Sequence, residues 1–233
     1  MNKCVILLTG TRLWLLEKLL PSIRRTYNGD ILIANYNDFG EEGKQQLSQF
    51  RVMIIDVESK SASIVIDRYR VFTEWLRVHM NEYDTVMHLD GCDMVVNDIN
   101  PLLSRSEKGL TIFEDGGLWK NDRVIREDLW HINGHIPESD WKLVENRSIF
   151  NPSLCGGPLS AMYNLFYLIS DYCKRYGTEF GMDLYAVNIV MRAHSISFTP
   201  IPLVDNSVEH YGGYNDFKFR SLKESKDRRE GRA

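Results

Sequence analysis

The chain lacks the features that announce the commonest nucleotide and metal folds. It has no G-x-G-x-x-G of a dinucleotide fold, no G-x-x-x-x-G-K-[S/T] of a P-loop, and no C-x-x-C or other zinc pattern. Its four cysteines, Cys4, Cys92, Cys155 and Cys173, are widely spaced, which fits free thiols in a reducing compartment. No long hydrophobic run is present. Cys4-Val5-Ile6-Leu7-Leu8 is too short for a signal segment or a membrane span, and Thr9-Gly10-Thr11-Arg12 breaks it. We therefore expect a cytoplasmic protein with no transmembrane segment. There is no excess of positive charge either. A formal net charge of −4 argues against a generic nucleic-acid binder, whose footprint is basic. Internal repeats and low-complexity tracts are absent. What is present, 233 residues with 43% hydrophobic and 26% charged side chains, is ordinary for a soluble globular chain with room for a sizeable core.

The N-terminal third alternates between strand and helix patterns. Cys4 to Leu8 is a continuous apolar run, as in a central parallel strand. Thr9-Gly10-Thr11 makes a small polar turn, a candidate nucleotide contact or simply a strand-to-helix turn with Thr11 as cap. Leu13, Leu15, Leu16, Leu19, Leu20 and Ile23 recur at helical spacing, with Pro21 expected to kink or restart the helix. Ile31 to Ala34 reads as a second strand, Glu41 to Gln49 as a polar helix and Phe50 to Val57 as a third strand. This order is that of a doubly wound α/β half.

The most informative stretch is Tyr83-Asp84-Thr85-Val86-Met87-His88-Leu89-Asp90-Gly91-Cys92-Asp93-Met94-Val95-Val96. It opens as a buried strand and then places two carboxylates within four residues. Acids at the end of a core strand are costly unless a cation or hydrogen bonds satisfy them. In open α/β sheets that end is where ligands bind. Asp90 and Asp93 read either as ligands of a divalent metal that holds phosphate, or as a polar turn between two short strands. Just upstream, Ile64 to His79 predicts a helix whose early turns carry Arg68 and Arg70. An arginine there can reach phosphate, or Arg70 can simply pair with Asp67 on a solvated face.

Farther along, Leu110 to Phe113 predicts a strand ending at Glu114-Asp115-Gly116-Gly117. Residues 118–148 form an irregular excursion with Trp119, Trp130, Trp141, His131 and His135. It is expected to cover a small-molecule site, to bind an acceptor, or to be a plain surface loop anchored by its tryptophans. Phe150 to Pro158 contains the pair Gly156-Gly157, which permits close backbone approach to a ligand or unusual dihedrals. Leu159 to Tyr176 predicts a helix with an aromatic core stripe, and Leu184 to Arg192 another, with Asp183 as its expected cap. Ser195 to Pro200 reads as a short strand.

Taken together, these segments resemble the GT-A-fold glycosyltransferases. Arg68 with its helix, and Tyr83-Asp84 through Leu89-Asp90-Gly91-Cys92-Asp93-Met94-Val95-Val96, look like that family's arginine helix and its acidic metal motif. Asn151 with Cys155-Gly156-Gly157 resembles the acceptor-side "fN-x-G" strand. Gly181-Met182-Asp183 to Asn188 resembles "g-DQ-x-x-x-N", and His210-Tyr211-Gly212-Gly213 the late "H-x-x-G". The acidic motif here is the Asp-x-x-Asp variant of the usual Asp-x-Asp. Leu184 stands where the family has Gln. The "KPW" after the histidine is absent, with Lys218 as the alternative phosphate contact. The resemblance implies a single GT-A-like (Rossmann-like) α/β domain over residues 1–220, with a mixed, mostly parallel central sheet flanked by helices, and a charged tail or linker at 221–233. It also implies hexosyl transfer from a nucleotide-sugar donor, expected to be UDP-linked, to a hydroxyl on a glycan, lipid-linked or protein acceptor. Asp90, Asp93 and His210 would hold Mn²⁺ or Mg²⁺. Thr9, Gly10, Thr11, Arg68, Asp90 and Lys218 would contact the nucleotide or its phosphates, and Asp183 would sit at the sugar–acceptor junction. Likeness to the family-eight branch of glycogenin and galactosyltransferases leans towards retention of configuration.

Two other classes compete. Leu89-Asp90-Gly91-Cys92-Asp93 faintly resembles the nucleophile motif of haloacid-dehalogenase-like phosphatases, although that motif sits on the first strand with one residue between its acids. A non-catalytic sugar-nucleotide or carbohydrate-binding protein of the same fold is kept open by Leu184.

Overall fold

The computed structural model describes residues 3–10, 12–36, 39–90, 94–119, 136–178, 181–202 and 208–210. The order of elements is β1 (Cys4–Gly10), α1 (Leu13–Arg24), β2 (Asp30–Asn35), α2 (Gly40–Ser48), β3 (Met53–Asp56), α3 (Ile64–Val78), β4 (Thr85–Leu89), β5 (Met94–Val96), α4 (Asn100–Ser106), β6 (Thr111–Leu118), α5 (Glu138–Val144), β7 (Ser148–Pro158), α6 (Leu159–Tyr176), α7 (Met182–Ala193), β8 (Thr199–Ile201) and β9 (Val208–His210). Seven strands form one sheet in the order β3-β2-β1-β4-β7-β6-β8, and β5 pairs with β9 in a second, two-stranded sheet. In the large sheet only β7 runs against its neighbours; every other pairing is parallel. This is the mixed, mostly parallel α/β architecture expected from the sequence.

The continuous apolar runs follow from burial on both faces. On β1, Val5 and Leu7 join one core with α3, α6 and α7. Ile6 and Leu8 join the other, with Leu16, Leu19 and Leu20 of α1 and Leu47 of α2. Sheet alternation thus divides one strand between two cores. Pro21 does not restart α1, which is assigned unbroken from Leu13 to Arg24 with Pro21 on its exposed side.

Several boundaries differ from the expectation. Strand β6 continues through Glu114-Asp115-Gly116-Gly117 to Leu118, because its pairing with β7 carries on to Leu118↔Ser148 across two irregularities. The last strand of the large sheet is Thr199–Ile201, where parallel pairing with β6 begins at Thr111↔Thr199. The irregular excursion contains a helix, α5. Trp119 is fully buried, with its ring 4.4 Å from Tyr185 and 6.4 Å from Trp141, so these two tryptophans anchor the core. Trp130, His131 and His135, and the tail at 221–233, lie outside the described residues. Among the described residues no helix is long and apolar enough to cross a membrane, and Cys4, Cys155 and Cys173 are free thiols.

Candidate functional site

The parallel strands of the large sheet end on one edge, and the chemistry gathers there. Thr9 and Gly10 close β1, Asn35 closes β2, Asp56 closes β3, and Asp90 follows β4 directly. Helix α3 begins at the same edge, which brings Arg68, in its second turn, to Asp90. Helix α7 also begins there, after Gly181 in a left-handed conformation (φ 91°).

Arg68 is the hub. Its side chain is 3% exposed. One terminal nitrogen, Nη1, donates to Asp90 Oδ1. The other, Nη2, donates to Asp183 Oδ2 at 3.0 Å and to the Tyr69 hydroxyl at 3.2 Å. Tyr69 in turn donates to Asp183 Oδ2 at 3.4 Å. One cation therefore bridges two carboxylates that are 93 positions apart in sequence (183 − 90). Burial works against the guanidinium charge, but Asp90, Tyr69 and Asp183 outweigh it and hold Arg68 ionised. Burial pushes the Asp183 carboxyl up and Asp90 adds to the rise, while Arg68 and the Leu184 amide pull it back.

Asp183 is not the helix cap expected from the sequence. Gly181 occupies the cap position, and Asp183 lies within the first turn with its carboxylate on Arg68 and Tyr69. Arg70 is a different case from Arg68. Its guanidinium lies on Asp67 through two bonds of 2.8 Å and on Glu74 at 3.1 Å, so it belongs to the helix surface.

His88 lies two residues before Asp90, on the same face of β4. It is fully buried between Phe72 and Phe166. Its Nδ1 donates to the Pro152 carbonyl at 2.9 Å, which fixes the neutral tautomer. Burial, reinforced by the Arg68 charge, pulls its pKa down to about 3.

Beside this hub, a cavity of about 460 Å³ opens at the ends of β2 and β3, lined by Asn35, Tyr36, Asp56, Val57 and Glu58. Asn35 Nδ2 donates to Asp56 Oδ1 at 2.9 Å, and Lys44 holds the other Asp56 oxygen at 2.7 Å. Sequence reasoning passed over these residues; the signal was their place at strand ends. Packing by itself calls for glycine at Gly10, since a Cβ there would lie 2.9 Å from Ile33 Cγ2 and 3.2 Å from the Ala34 carbonyl. Gly156 and Gly157 likewise face neighbouring side chains and backbone within β7. A Cβ on Gly156 would meet Ser106 Oγ at 2.6 Å and Met87 at 2.8 Å, and one on Gly157 the Leu110 Cα at 3.1 Å.

Thr11, Asp93 and Lys218 lie outside the described residues, as does the side chain of His210. Strand pairing nevertheless sets His210 opposite Met94, the residue after Asp93 in the sequence. Among the described residues no group of three or more His, Cys, Asp or Glu side chains is arranged to hold a metal.

No family model and no curated protein matches this chain. Among solved structures it is similar to mouse xyloside xylosyltransferase 1 in its apo form, with a TM-score of 0.52 at 13% identity, covering 86% of this chain and 84% of the other. The chain therefore has the α/β fold of a known glycosyltransferase.

Proposed function

We propose that this protein is a metal-dependent glycosyltransferase that moves a sugar from a nucleotide donor, UDP-linked, to a hydroxyl acceptor. The observation that carries the reading is the Arg68 hub. A buried arginine holding Asp90 and Asp183 lies at the carboxyl edge of the sheet, in a fold shared with a xylosyltransferase.

The residues present fit a divalent ion. One cation facing two carboxylates leaves an excess of negative charge at the hub, and Asp90 keeps Oδ2 free of Arg68. With Asp93 and His210 the donor set is two carboxylates and an imidazole, which suits Mn²⁺ or Mg²⁺, the imidazole favouring Mn²⁺. When bound, the ion neutralises charge on the nucleoside diphosphate leaving group. Arg68 fixes the orientation of both carboxylates and supplies positive charge beneath the diphosphate. Asp183, 10% exposed, presents a carboxylate to the sugar, where it orients a hydroxyl or stabilises positive charge on the ring in the transition state. Thr9, Gly10, Thr11 and Lys218 are assigned to the nucleotide; of these, Thr9 and Gly10 end β1 beside Ala34 and Asn35, at the cavity. The likeness to the family-eight branch supports retention.

The test is thermal stabilisation by nucleoside diphosphates with and without Mn²⁺. UDP and Mn²⁺ together are expected to raise the melting temperature where either alone does little. Equal stabilisation by UDP with and without Mn²⁺ removes the metal from the reading. No stabilisation by any nucleoside diphosphate removes the donor. Tight Mn²⁺-dependent binding without transfer or hydrolysis favours a non-catalytic sugar-nucleotide binder, the reading that Leu184 supports.

A further inference from the structure

Asp90 has neighbours on both sides across the sheet. Pairing of Leu8 with Leu89 on β1 puts Thr9 beside it. Pairing of Leu89 with Leu154 on β7, continued by the Asp90 amide donating to the Ser153 carbonyl at 2.8 Å, puts Ser153 on the other side. Side chains paired across strands share a face, so Thr9, Asp90 and Ser153 form one row, on the face of His88 and Arg68.

Among the described residues, four buried polar atoms around this carboxylate have no hydrogen-bond partner: Thr9 Oγ1, Ser153 Oγ, Arg68 Nε and His88 Nε2. Buried polar groups are normally paired, and clustered exceptions call for an explanation.

Ser153 is the member the local backbone is built to deliver. β7 pairs Cys155 with Ile112 and then Asn151 with Phe113, so residues 152–154 bulge out of register with β6. Such bulges re-aim side chains beside active sites. The bulge is held on three sides. The Ser153 amide donates to Asn151 Oδ1 at 2.9 Å, its carbonyl accepts from Asp90, and the Pro152 carbonyl accepts from His88. Both backbone groups of Ser153 are used, and the hydroxyl of this residue, 6% exposed, is left over.

We propose that Ser153 is a positioning residue for the donor, its hydroxyl taking a hydrogen bond from or giving one to a hydroxyl of the transferred sugar. This deepens the glycosyltransferase reading and rests on it. A hydroxyl that both donates and accepts suits a sugar hydroxyl, and its place between Asp90 and the bulge puts it next to the carboxylates assigned to the metal and the sugar.

The test is isothermal titration of UDP and of a panel of UDP-sugars, in Mn²⁺, against the parent and Ser153→Ala. We expect unchanged UDP affinity and an affinity about three- to tenfold weaker for the UDP-sugar that the parent binds best, the loss of one neutral hydrogen bond. Ser153→Cys, close in shape with a poor hydrogen-bonding group, is expected to behave like Ser153→Ala and covers the case in which the alanine variant folds badly. Equal weakening of UDP and UDP-sugar would place the hydroxyl on the diphosphate, and no weakening of either would make it structural; both outcomes overturn the proposal. A parent that binds neither UDP nor any UDP-sugar removes the donor reading and this inference with it, whereas a parent that binds both leaves the variants to decide.

Discussion

Asn188 and Phe150 are joined by two hydrogen bonds. The Phe150 amide donates to Asn188 Oδ1 at 2.9 Å, and Asn188 Nδ2 donates to the Phe150 carbonyl at 2.7 Å. A helix side chain thus stands where a neighbouring strand would, and it is fully buried. This pins α7, and with it Asp183, against the bulged strand that carries Ser153.

Asn188→Leu leaves both Phe150 backbone groups buried and unpaired. Since each such group costs about 1–3 kcal/mol, we expect a loss of about 2–5 kcal/mol in urea denaturation. A loss below about 1 kcal/mol would show that the strand finds other partners and that Asn188 is not its anchor.

Gly156→Ala separates packing from ligand approach. The added Cβ meets Ser106 Oγ and the Met87 thioether closer than 3.0 Å, and overpacking of this kind costs about 1–3 kcal/mol. We expect a lower melting temperature with unchanged nucleotide affinity in the folded protein. Weaker nucleotide binding at unchanged stability would restore the ligand-side role that the sequence suggested for this glycine.

The frame was legible because its strands are two-faced. Runs such as Cys4–Leu8 and Ile31–Ala34 are apolar throughout, and helices such as α6 keep one apolar stripe. Arg68 stood out by lying on a helix just before an acidic strand end. What stayed hidden depends on long-range pairing. Nothing near Asp183 indicates that Arg68, 115 residues away, takes its carboxylate, so local grammar read it as a cap. The extension of β6 through two acids and two glycines is invisible without β7 beside it. Ser153 and His88 acquire meaning only from the register that places them around Asp90.

His88 makes the fold sensitive to acid. Its folded pKa, pulled down to about 3 by burial and the Arg68 charge, lies below the ordinary 6.5. Between those values the unfolded chain binds a proton that the folded protein refuses. The contribution is therefore complete above pH 6.5 and is lost as pH falls towards 3, at up to about 1.4 kcal/mol per pH unit. His88→Gln removes this titration. Stability measured from pH 7 to pH 4 is expected to fall less steeply in the variant than in the parent. Parallel curves would show that His88 is protonated in the fold or exposed to water.

The last prediction concerns Asp183→Asn. The substitution keeps the shape of the side chain and an oxygen that accepts from Arg68 and Tyr69, but it removes a negative charge. Arg68 retains Asp90 as its counter-ion, and burial already disfavours the ionised form of Asp183, so the fold is expected to lose little. The melting temperature should stay within a few degrees of the parent, and UDP affinity in Mn²⁺ should barely change. A charge facing the transition state behaves differently, because it acts only where positive charge develops. Loss of such an electrostatic contribution lowers turnover by about a hundredfold or more. The measurement is turnover of a saturating donor, by transfer or by hydrolysis, alongside melting temperature and UDP titration on the same preparations. A large drop in turnover with the other two unchanged assigns the carboxylate to the chemistry. A parallel fall in stability and UDP affinity makes Asp183 a structural partner of Arg68. Near-parental turnover excludes the charge from catalysis and leaves Asp183 as the partner that keeps Arg68, and through it Asp90, in place.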